Sequence, residues 1–324
     1  MSKSKILAIV GATGSGKSAL ALRLAERLKG EIVSCDSMQI YRRMDIGTAK
    51  PTAAERERVR HHLIDVVEPD MPFSCADYVP LAAEAIAGCE KRGMLPIVCG
   101  GTGLYLDALL RKNDFEPNTS DASVRAELTA RAAREGGQAL WEELSRIDPE
   151  SARATHPNNV KRVLRALEIY LVSGVPKSEW DRRSREGGLR YEACVIGLRY
   201  PERQRLYERI DRRVDQMLRE GLVEETLGLF REGVFDKNHT AAQAIGYKEL
   251  LPYCRGETDL TSAAEQLKMA TRRYAKRQMT WFGAKAYVTW LDVSADSVEN
   301  EKTFEEIVNN AAELFQKNEK CDKI

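Results

Sequence analysis

Eight residues near the N-terminus have the types and the spacing of a phosphate-binding loop. Residues 11–18 read Gly-Ala-Thr-Gly-Ser-Gly-Lys-Ser and match the pattern G-x-x-x-x-G-K-[ST] at every fixed position. Glycines let the backbone curl so that N–H groups point at an anion, the lysine adds a full positive charge, and the last hydroxyl suits Mg²⁺. The predicted phosphate ligands are Gly11, Ala12, Thr13, Gly14, Ser15, Gly16, Lys17 and Ser18. A diphosphate and a nucleoside triphosphate would fit this loop equally well.

The segments on both sides of the loop predict the elements that must hold it. Residues 6–10 form an uncharged, branched run typical of a buried parallel strand. After the loop, Leu20, Leu24 and Leu28 recur every fourth residue and predict one apolar face of a helix. The loop therefore joins a strand to a helix N-terminus, where the helix dipole favours an anion.

Polar residues follow two further predicted strands. Asp36 comes after the strand 31–35, and Thr102 comes between glycines after the strand 95–99. In a parallel sheet, ligands bind beyond the carboxyl ends of the strands, so both residues are expected near the phosphate loop. Asp36 could bind Mg²⁺, act as a general base, or cap a helix. Thr102 could donate to a phosphate oxygen or form a turn, and Arg213 could reach the site or stay exposed.

The order of predicted elements favours an α/β fold. Strands at 6–10, 31–35, 62–67 and 95–99 alternate with helical segments at 53–60 and 76–92, which predicts a parallel sheet flanked by helices. From about residue 114 to 190 the chain is mostly helical, and a strand within 191–200 could rejoin the sheet. We therefore predict a P-loop NTPase-like core of residues 1–113 and 191–324, with an inserted helical domain at 114–190.

The inserted segment carries a basic cluster. Lys161, Arg162 and Arg165 lie on one predicted helix without an intervening acid. From the pattern alone, a solvated helix face is the better interpretation. Downstream, a long helix is predicted over 202–232 and a strand over 286–291.

Composition excludes several classes of protein. The 324 residues are 43% hydrophobic and 31% charged with a net charge of +1, which is ordinary for a globular protein and not for a polycation. The seven cysteines are scattered without a C-x-x-C pair, so neither disulfides nor zinc is predicted, and a structural role is expected for His61 and His62. No run is long enough to span a membrane, and no signal-peptide core precedes the first strand, so a cytoplasmic location is expected.

Several segments together resemble the tRNA dimethylallyltransferase family, also called tRNA isopentenyltransferases. They occur in the family's order from residue 5 to about 290. Besides the generic phosphate loop they are residues 36–42 (DSMQIYR), 47–51 (GTAKP), 61–65 (HHLID), 100–105 (GGTGLY), 165–168 (RALE), 243–249 (QAIGYKE) and 271–282 with AKRQ inside. Gly283 stands where the family often has arginine, and no C-terminal zinc finger is present, so the chain resembles the shorter bacterial type.

The resemblance implies transfer of a dimethylallyl group from dimethylallyl diphosphate to N6 of the adenosine just 3′ of the anticodon, position 37 of tRNA. It implies that the phosphate loop holds the donor's diphosphate and that Ser18 binds Mg²⁺. It makes Asp36 the general base, with Thr102 and Arg213 as further catalytic residues. The implied tRNA contacts are Asp36, Ser37, Met38 and Gln39, together with Lys161, Arg162, Val163, Leu164 and Arg165 from the insertion, which would hold the anticodon stem-loop.

Three alternatives stay open at this point. A P-loop kinase would share the first loop and the sheet but would not need the segments 36–51 and 100–105. Prenyl transfer to a free adenine nucleotide would use the same donor site. A non-catalytic P-loop RNA-binding protein would leave Asp36 without a role. We expect the chain to act as a monomer and without a membrane partner.

Overall fold

The structure is a computed structural model and describes residues 3–111, 121–186, 188–238, 240–294 and 300–321. The predicted turn-rich segment at 113–120 lies outside these residues, as does His239. The chain divides into two compact units. The larger one comprises residues 1–110 and 191–324, and the smaller one comprises residues 111–190.

A six-stranded parallel sheet forms the centre of the larger unit. Its strands are β1 (Lys5–Gly11), β2 (Gly30–Ser34), β3 (His61–His62), β4 (Leu95–Cys99), β5 (Glu192–Arg199) and β6 (Val288–Asp292). The order across the sheet is β3-β2-β4-β1-β5-β6, and every recorded pairing is parallel. This topology places β1, which leads into the phosphate loop, between β4 and β5. The predicted α/β class and the return of the strand at 191–200 to the first sheet are confirmed.

Helices accompany the sheet on both sides. In the larger unit they are α1 (Lys17–Leu28), α2 (Ala53–Arg58), α3 (Cys75–Lys91), α4 (Gly103–Leu110), α10 (Arg203–Arg219), α11 (Leu222–Arg231), α12 (Val234–Lys237), α13 (Tyr247–Cys254), α14 (Leu260–Gly283) and α15 (Glu301–Cys321). Over the described ranges, none of the helices combines the length and the apolarity that a membrane span requires.

The strand β1 shows why the sheet is buried on both faces. Ile6, Ala8 and Val10 belong to one apolar cluster, whereas Leu7 and Ile9 belong to another. Side chains alternate between the faces of a strand, so a continuous apolar run fills two cores at once.

Two predicted elements differ from the structure. The strand predicted at 62–67 is limited to His61–His62, because Leu63 and Asp65 adopt left-handed backbone conformations with φ of 61° and 58°. The helix predicted over 202–232 is two helices, which separate at Gly221, where φ is 103°. A left-handed glycine ends a helix at little steric cost.

The smaller unit is a bundle of short helices. They are α5 (Ala122–Glu135), α6 (Gly137–Ile147), α7 (Pro149–Arg153), α8 (Val160–Ser173) and α9 (Lys177–Glu186). Leu128, Leu140, Leu144, Val163 and Leu167 form its apolar core. The unit therefore has a hydrophobic centre of its own, to which α8 contributes one face.

Candidate active site

The phosphate loop lies between the end of β1 and the start of α1. Gly14 and Gly16 have positive φ of 77° and 94°, and Gly16 precedes the first residue of α1. The backbone N–H of Ser15 donates to the carbonyl oxygen of Ala12 at 3.2 Å, which closes a turn within the loop. This conformation, at a helix N-terminus, forms a concave cradle for an anion.

Two cations border the cradle without neutralising partners. In the described part of the chain, neither Lys17 nor Arg213 forms an ion pair with a carboxylate, and Lys17 Nζ donates only to Ala12 O at 3.4 Å. Burial lowers the pKa of Lys17, and the nearby Arg213 lowers this pKa further. Burial likewise lowers the pKa of Arg213, with Arg209 as a second cause. A bound anion would relieve both effects, so the pair is suited to a phosphorylated ligand.

Helix α10 brings further positive charge to the loop. Arg209 Nε donates to the carbonyl oxygen of Gly14 at 2.8 Å. Arg209, Arg212, Arg213 and Arg219 line a cavity of about 650 Å³ together with the loop. Of these four arginines only Arg213 was predicted from the sequence. The recurrence of arginine at 209, 212, 213 and 219 along one helix face was the signal that could have found the others.

Asp36 has both a structural contact and access to the site. Its Oδ1 accepts hydrogen bonds from the backbone N–H groups of Met38 at 2.9 Å and Gln39 at 3.4 Å. The helix-cap interpretation is wrong, because residues 37–40 form a turn and not a helix; Oδ1 closes this turn after β2. Asp36 also lines a cavity of about 70 Å³ and a cavity of about 250 Å³. The carboxylate is thus fixed by one oxygen in a place where a ligand can approach.

Thr102 contacts the segment that contains Asp36. Its Oγ1 accepts a hydrogen bond from the backbone N–H of Ser37 at 3.1 Å. The close approach depends on Gly100, where an added Cβ would lie 2.0 Å from the carbonyl oxygen of Cys35. Thr102 therefore holds the turn at 36–39, and the hydrogen bonds that it makes do not include one to the phosphate loop.

Helix α14 adds two side chains that the sequence analysis did not assign to the site. Gln278 Oε1 accepts from the backbone N–H of Thr13 at 2.8 Å, and its Nε2 donates to Gly101 O at 3.0 Å. Tyr274 lines the same two cavities as Asp36, and burial raises the pKa of its hydroxyl. Both residues lie within the segment 271–282 that carried the family resemblance.

One cavity brings the predicted residues together. The cavity of about 70 Å³ is lined by Lys17, Ser18, Asp36 and Arg213, with Tyr274 and Gln278 beside them. It shares Lys17 and Arg213 with the basic cavity of about 650 Å³, and it shares Asp36 and Arg213 with the cavity of about 250 Å³. Asp36 and Arg213 therefore line both the cavity beside the phosphate loop and the cavity of about 250 Å³.

The remaining residues of the 36–39 segment divide into two kinds. Ser37 and Met38 line the cavity of about 250 Å³. The amide of Gln39 is engaged within the protein, because Nε2 donates to Thr48 O at 3.3 Å and Ala49 O at 3.2 Å while Oε1 accepts from Ser34 Oγ at 2.9 Å. Gln39 thus supports the wall of the site.

His61 is a further residue that sequence reasoning placed outside the site. It lines the cavity of about 650 Å³ and the cavity of about 70 Å³. Its Nδ1 lies 2.7 Å from Val59 O, and burial lowers the pKa of the ring. The imidazole is therefore expected to be neutral at pH 7, with Nδ1–H donating to the carbonyl oxygen. No spacing in the sequence distinguished His61 from its neighbour His62.

Predicted RNA contacts in the smaller unit are only partly on its surface. Lys161 and Arg162 are exposed. Val163 is fully buried in the core of the unit, so the prediction that its side chain contacts RNA is wrong, and Leu164 packs against the same core. Arg165 Nη1 lies 2.9 Å from the buried carboxylate of Glu168. The helical period of α8 explains the division, since only one face of an amphipathic helix reaches solvent.

The loop has the donor set that Mg²⁺ prefers. Ser18 is exposed in the first turn of α1, and the Asp36 carboxylate lines the same cavity. The Ser15 hydroxyl is buried without a hydrogen-bond partner. Mg²⁺ is bound by oxygen atoms and takes few protein ligands when phosphate supplies the rest. These residues therefore fit a Mg²⁺–diphosphate complex.

A second cluster of ligand-type side chains lies away from these cavities. Glu31, His62 and Cys89 approach one another, with 2.6 Å between His62 Nε2 and Glu31 Oε2. Arg92 donates to both oxygens of Glu31, at 2.9 Å and 2.6 Å. These hydrogen bonds lower the pKa of Glu31 to about 2, despite its burial. Both carboxylate oxygens already accept hydrogen bonds, so the cluster forms an ion-pair network in this structure.

Comparison with known sequences identifies two matching families. The profile described as IPP transferase matches residues 39–285, and the one described as isopentenyl transferase matches residues 4–68. A tRNA dimethylallyltransferase of Geobacillus thermodenitrificans is 50% identical over 290 residues, which are 90% of this chain and 91% of that protein. Another, from Halalkalibacterium halodurans, is 46% identical over 318 residues and covers 98% of this chain and all (100%) of that protein.

Two solved structures are similar along nearly the whole chain. The full-length tRNA isopentenylpyrophosphate transferase of Bacillus halodurans aligns with a TM-score of 0.71 at 45% identity, covering 99% of this chain and 100% of that one. A eukaryotic dimethylallyltransferase acting on tRNA aligns with a TM-score of 0.80 at 29% identity, covering 94% and 78%. The IPP transferase profile spans most of the chain, and proteins named tRNA dimethylallyltransferase share about half of its residues. The chain therefore belongs to the IPP transferase family of tRNA dimethylallyltransferases.

Proposed function

We propose that this protein is a tRNA dimethylallyltransferase that moves the dimethylallyl group of dimethylallyl diphosphate to N6 of the adenosine immediately 3′ of the anticodon. The bond between C1 of the donor and the bridging diphosphate oxygen breaks. A bond forms between C1 and the adenine N6, and one N6 proton leaves. The products are the N6-dimethylallyl adenosine and diphosphate. The family membership and the cavity shared by Lys17, Arg213 and Asp36 support this assignment.

The phosphate side of the site would stabilise the leaving group. Negative charge grows on the diphosphate as the C1–O bond breaks, and the loop N–H groups together with Lys17 and Arg213 would stabilise that charge. Both cations lack carboxylate partners in the described chain, so their charge is available to the leaving group. Mg²⁺ held at Ser18 would neutralise part of the same charge. Arg209 supports this arrangement through its bond to Gly14 O.

The carboxylate of Asp36 is suited to accept the proton. The adenine N6 is a weak nucleophile because its lone pair is delocalised into the ring, so proton removal must accompany bond formation. Asp36 Oδ1 is held by the N–H groups of Met38 and Gln39, so Oδ2 would be the oxygen that accepts the proton. A fixed carboxylate loses little freedom on reaching the transition state.

The cavity of about 250 Å³ is our proposed site for the adenine. Asp36, Ser37, Met38 and Tyr274 line it, so the base would enter between a carboxylate, a thioether and an aromatic ring. The adenine must leave its stack to reach this position. Lys161 and Arg162 of the smaller unit would contact phosphates of the anticodon stem-loop, where an exposed basic helix face serves backbone recognition.

We propose that the protein acts as a monomer, since Lys17, Asp36 and Arg213 line a single cavity without a contribution from another chain being needed. We also propose a cytoplasmic location, which the proposed tRNA substrate supports. Neither point requires a further protein partner.

One transfer assay tests the proposal. The protein is incubated with labelled dimethylallyl diphosphate and Mg²⁺, and tRNA, AMP, or ATP with hydroxyl acceptors are offered in parallel. We expect label in tRNA only, and the label should disappear when the adenosine 3′ of the anticodon is replaced by guanosine. Label in AMP would favour transfer to free nucleotides instead. Phosphoryl transfer from ATP to a hydroxyl acceptor without prenyl transfer would indicate a kinase, and tRNA binding without either reaction would indicate a non-catalytic protein.

A further inference from the structure

We infer that Gln278 is a positioning residue that fixes the diphosphate site relative to the proposed base, and this inference rests on the proposed function. The side-chain amide joins two loops that are distant in sequence. Its Oε1 accepts from the N–H of Thr13 in the phosphate loop at 2.8 Å, and its Nε2 donates to Gly101 O at 3.0 Å. Gln278 is 5% exposed, so both bonds form in a nearly water-free environment.

The packing around the amide shows that its place is fixed. A Cβ added at Gly101 would lie 2.1 Å from Gln278 Nε2, so this position has room for glycine only while Gln278 is present. The side-chain amide accepts a hydrogen bond from the phosphate loop and donates one to the loop that contains Gly101. A hydrophobic residue of the same size would leave the Thr13 N–H and the Gly101 carbonyl group unpaired.

Three hydrogen bonds and two peptide links connect the phosphate loop to Asp36. Thr13 is bound by Gln278, and Gln278 binds Gly101, the residue before Thr102. Thr102 Oγ1 in turn accepts from the N–H of Ser37, the residue after Asp36. In-line transfer requires the leaving oxygen, C1 and N6 to be aligned, and a misplacement of about 1 Å can lower a rate about 100-fold. Gln278 therefore controls a distance that the chemistry depends on.

The contact with Gln278 also occupies one backbone N–H group of the phosphate loop. Because Thr13 N–H donates to Gln278, it is not offered to the ligand. The cradle that remains begins at Gly14, and its orientation is set from outside the loop by α14.

The experiment compares Gln278→Met with Gln266→Met, the same substitution at an exposed position of the same helix. Single-turnover transfer is measured with both substrates saturating, at a temperature well below both melting midpoints. We expect Gln278→Met to lower the transfer rate constant roughly 10–100-fold while tRNA affinity stays within about twofold of wild type. Gln266→Met should match wild type in both. If Gln278→Met fails to fold, Gln278→Asn gives the same test, since it keeps the amide but is one methylene too short to reach both loops.

A transfer rate within about twofold of wild type would overturn the inference. A rate that falls only in proportion to tRNA affinity would overturn it as well, because this would be a general loss of structure. Inorganic diphosphate separates the inference from the proposed function. If wild type transferred no prenyl group to tRNA, Gln278→Met should still require about tenfold more diphosphate than Gln266→Met for the same thermal stabilisation. Equal requirements would overturn the inference on its own.

Discussion

At the scale of single residues, Asp36 shows how one side chain combines a structural contact with a proposed chemical role. One carboxylate oxygen accepts two backbone N–H groups and closes the turn after β2. The residue also lines both cavities that meet at the site. The turn holds the carboxylate in place, so the two roles support each other. Their contributions can be separated because an amide oxygen caps a turn about as well as a carboxylate.

Replacing Asp36 by asparagine should lower the single-turnover transfer rate roughly 10²–10⁴-fold, which is the usual contribution of a positioned base. The affinities for tRNA and donor should change much less, since the amide oxygen still accepts from the adenine N6–H. The melting temperature should stay close to wild type because the cap is retained. A loss that appears in donor binding and is rescued by higher Mg²⁺ would instead make Asp36 chiefly a metal ligand. A near-wild-type rate would exclude it as the base.

Replacing Lys17 by alanine should weaken diphosphate binding and slow transfer, because the leaving group loses the nearest full charge. The measurement is the rise in melting temperature that inorganic diphosphate produces. We expect the rise to be much smaller in Lys17→Ala than in wild type. Lys91→Ala, at an exposed position near the end of α3, is the matched control and should respond like wild type. Equal protection of Lys17→Ala and wild type would show that the loop is not the donor site.

At the scale of elements, α8 divides its residues between a core and an exposed basic face. Val163 and Leu167 are buried in the smaller unit, whereas Lys161 and Arg162 are exposed. Arg165 pairs with the buried Glu168, with which Arg125 also pairs, so replacing Arg165 would combine a loss of positive charge with the loss of one of two partners of a buried carboxylate. A test of RNA contact should therefore use Lys161 and Arg162 and leave Arg165 in place.

The double variant Lys161→Ala/Arg162→Ala should bind tRNA more weakly and leave the donor KM little changed. Phosphate contacts release counterions, so the slope of log affinity against log salt should become shallower by about 0.7–0.9 for each phosphate that is no longer neutralised. The measurement is tRNA binding from low to moderate salt. A control pair is Arg182→Ala/Arg183→Ala on α9, where both guanidinium groups pair with Glu179. An unchanged slope in the α8 variant would show that its basic face is only a solvated surface and does not contact tRNA.

At the scale of the whole molecule, the sheet edge at β2 and β3 carries a network that should make folding sensitive to acid. The hydrogen bonds from Arg92 lower the pKa of Glu31 to about 2, against an ordinary value of 4.5. A depressed pKa stabilises the folded state above about pH 4.5, and this contribution is lost as the pH falls toward about 2. The difference corresponds to at most about 3 kcal/mol.

The Glu31→Gln variant should be less stable than wild type at pH 7, and the two should converge as the pH falls from about 4.5 to about 2. Urea unfolding at several pH values gives the free energies of unfolding. Glu84→Gln, an exposed position on α3, is the control and should change this pH dependence little. A difference between Glu31→Gln and wild type that stays constant down to pH 2 would contradict the network.

The sequence by itself determined the phosphate loop, the α/β class and the family. These features depend on local spacing. A run of branched residues specifies the strand, the fixed order of glycines, lysine and serine specifies the loop, and an apolar residue at every fourth position specifies the helix. Asp36 followed a predicted strand, so its approach to the loop could be derived from the geometry of parallel sheets. The short β3 was mispredicted because left-handed conformations at Leu63 and Asp65 leave no signal in an apolar pattern.

Only the tertiary structure decided which side chains share a surface with the loop. Gln278 lies 265 residues from Thr13 along the chain, and the packing of α14 within the larger unit brings them together. His61 and Tyr274 line the site for the same reason, although no spacing marks them. Conversely, Val163 belongs to a basic stretch in sequence but is buried, because helix rotation and not sequence proximity sets which face meets the core. Contacts between distant segments arise from the way whole elements pack, and local patterns do not encode that packing.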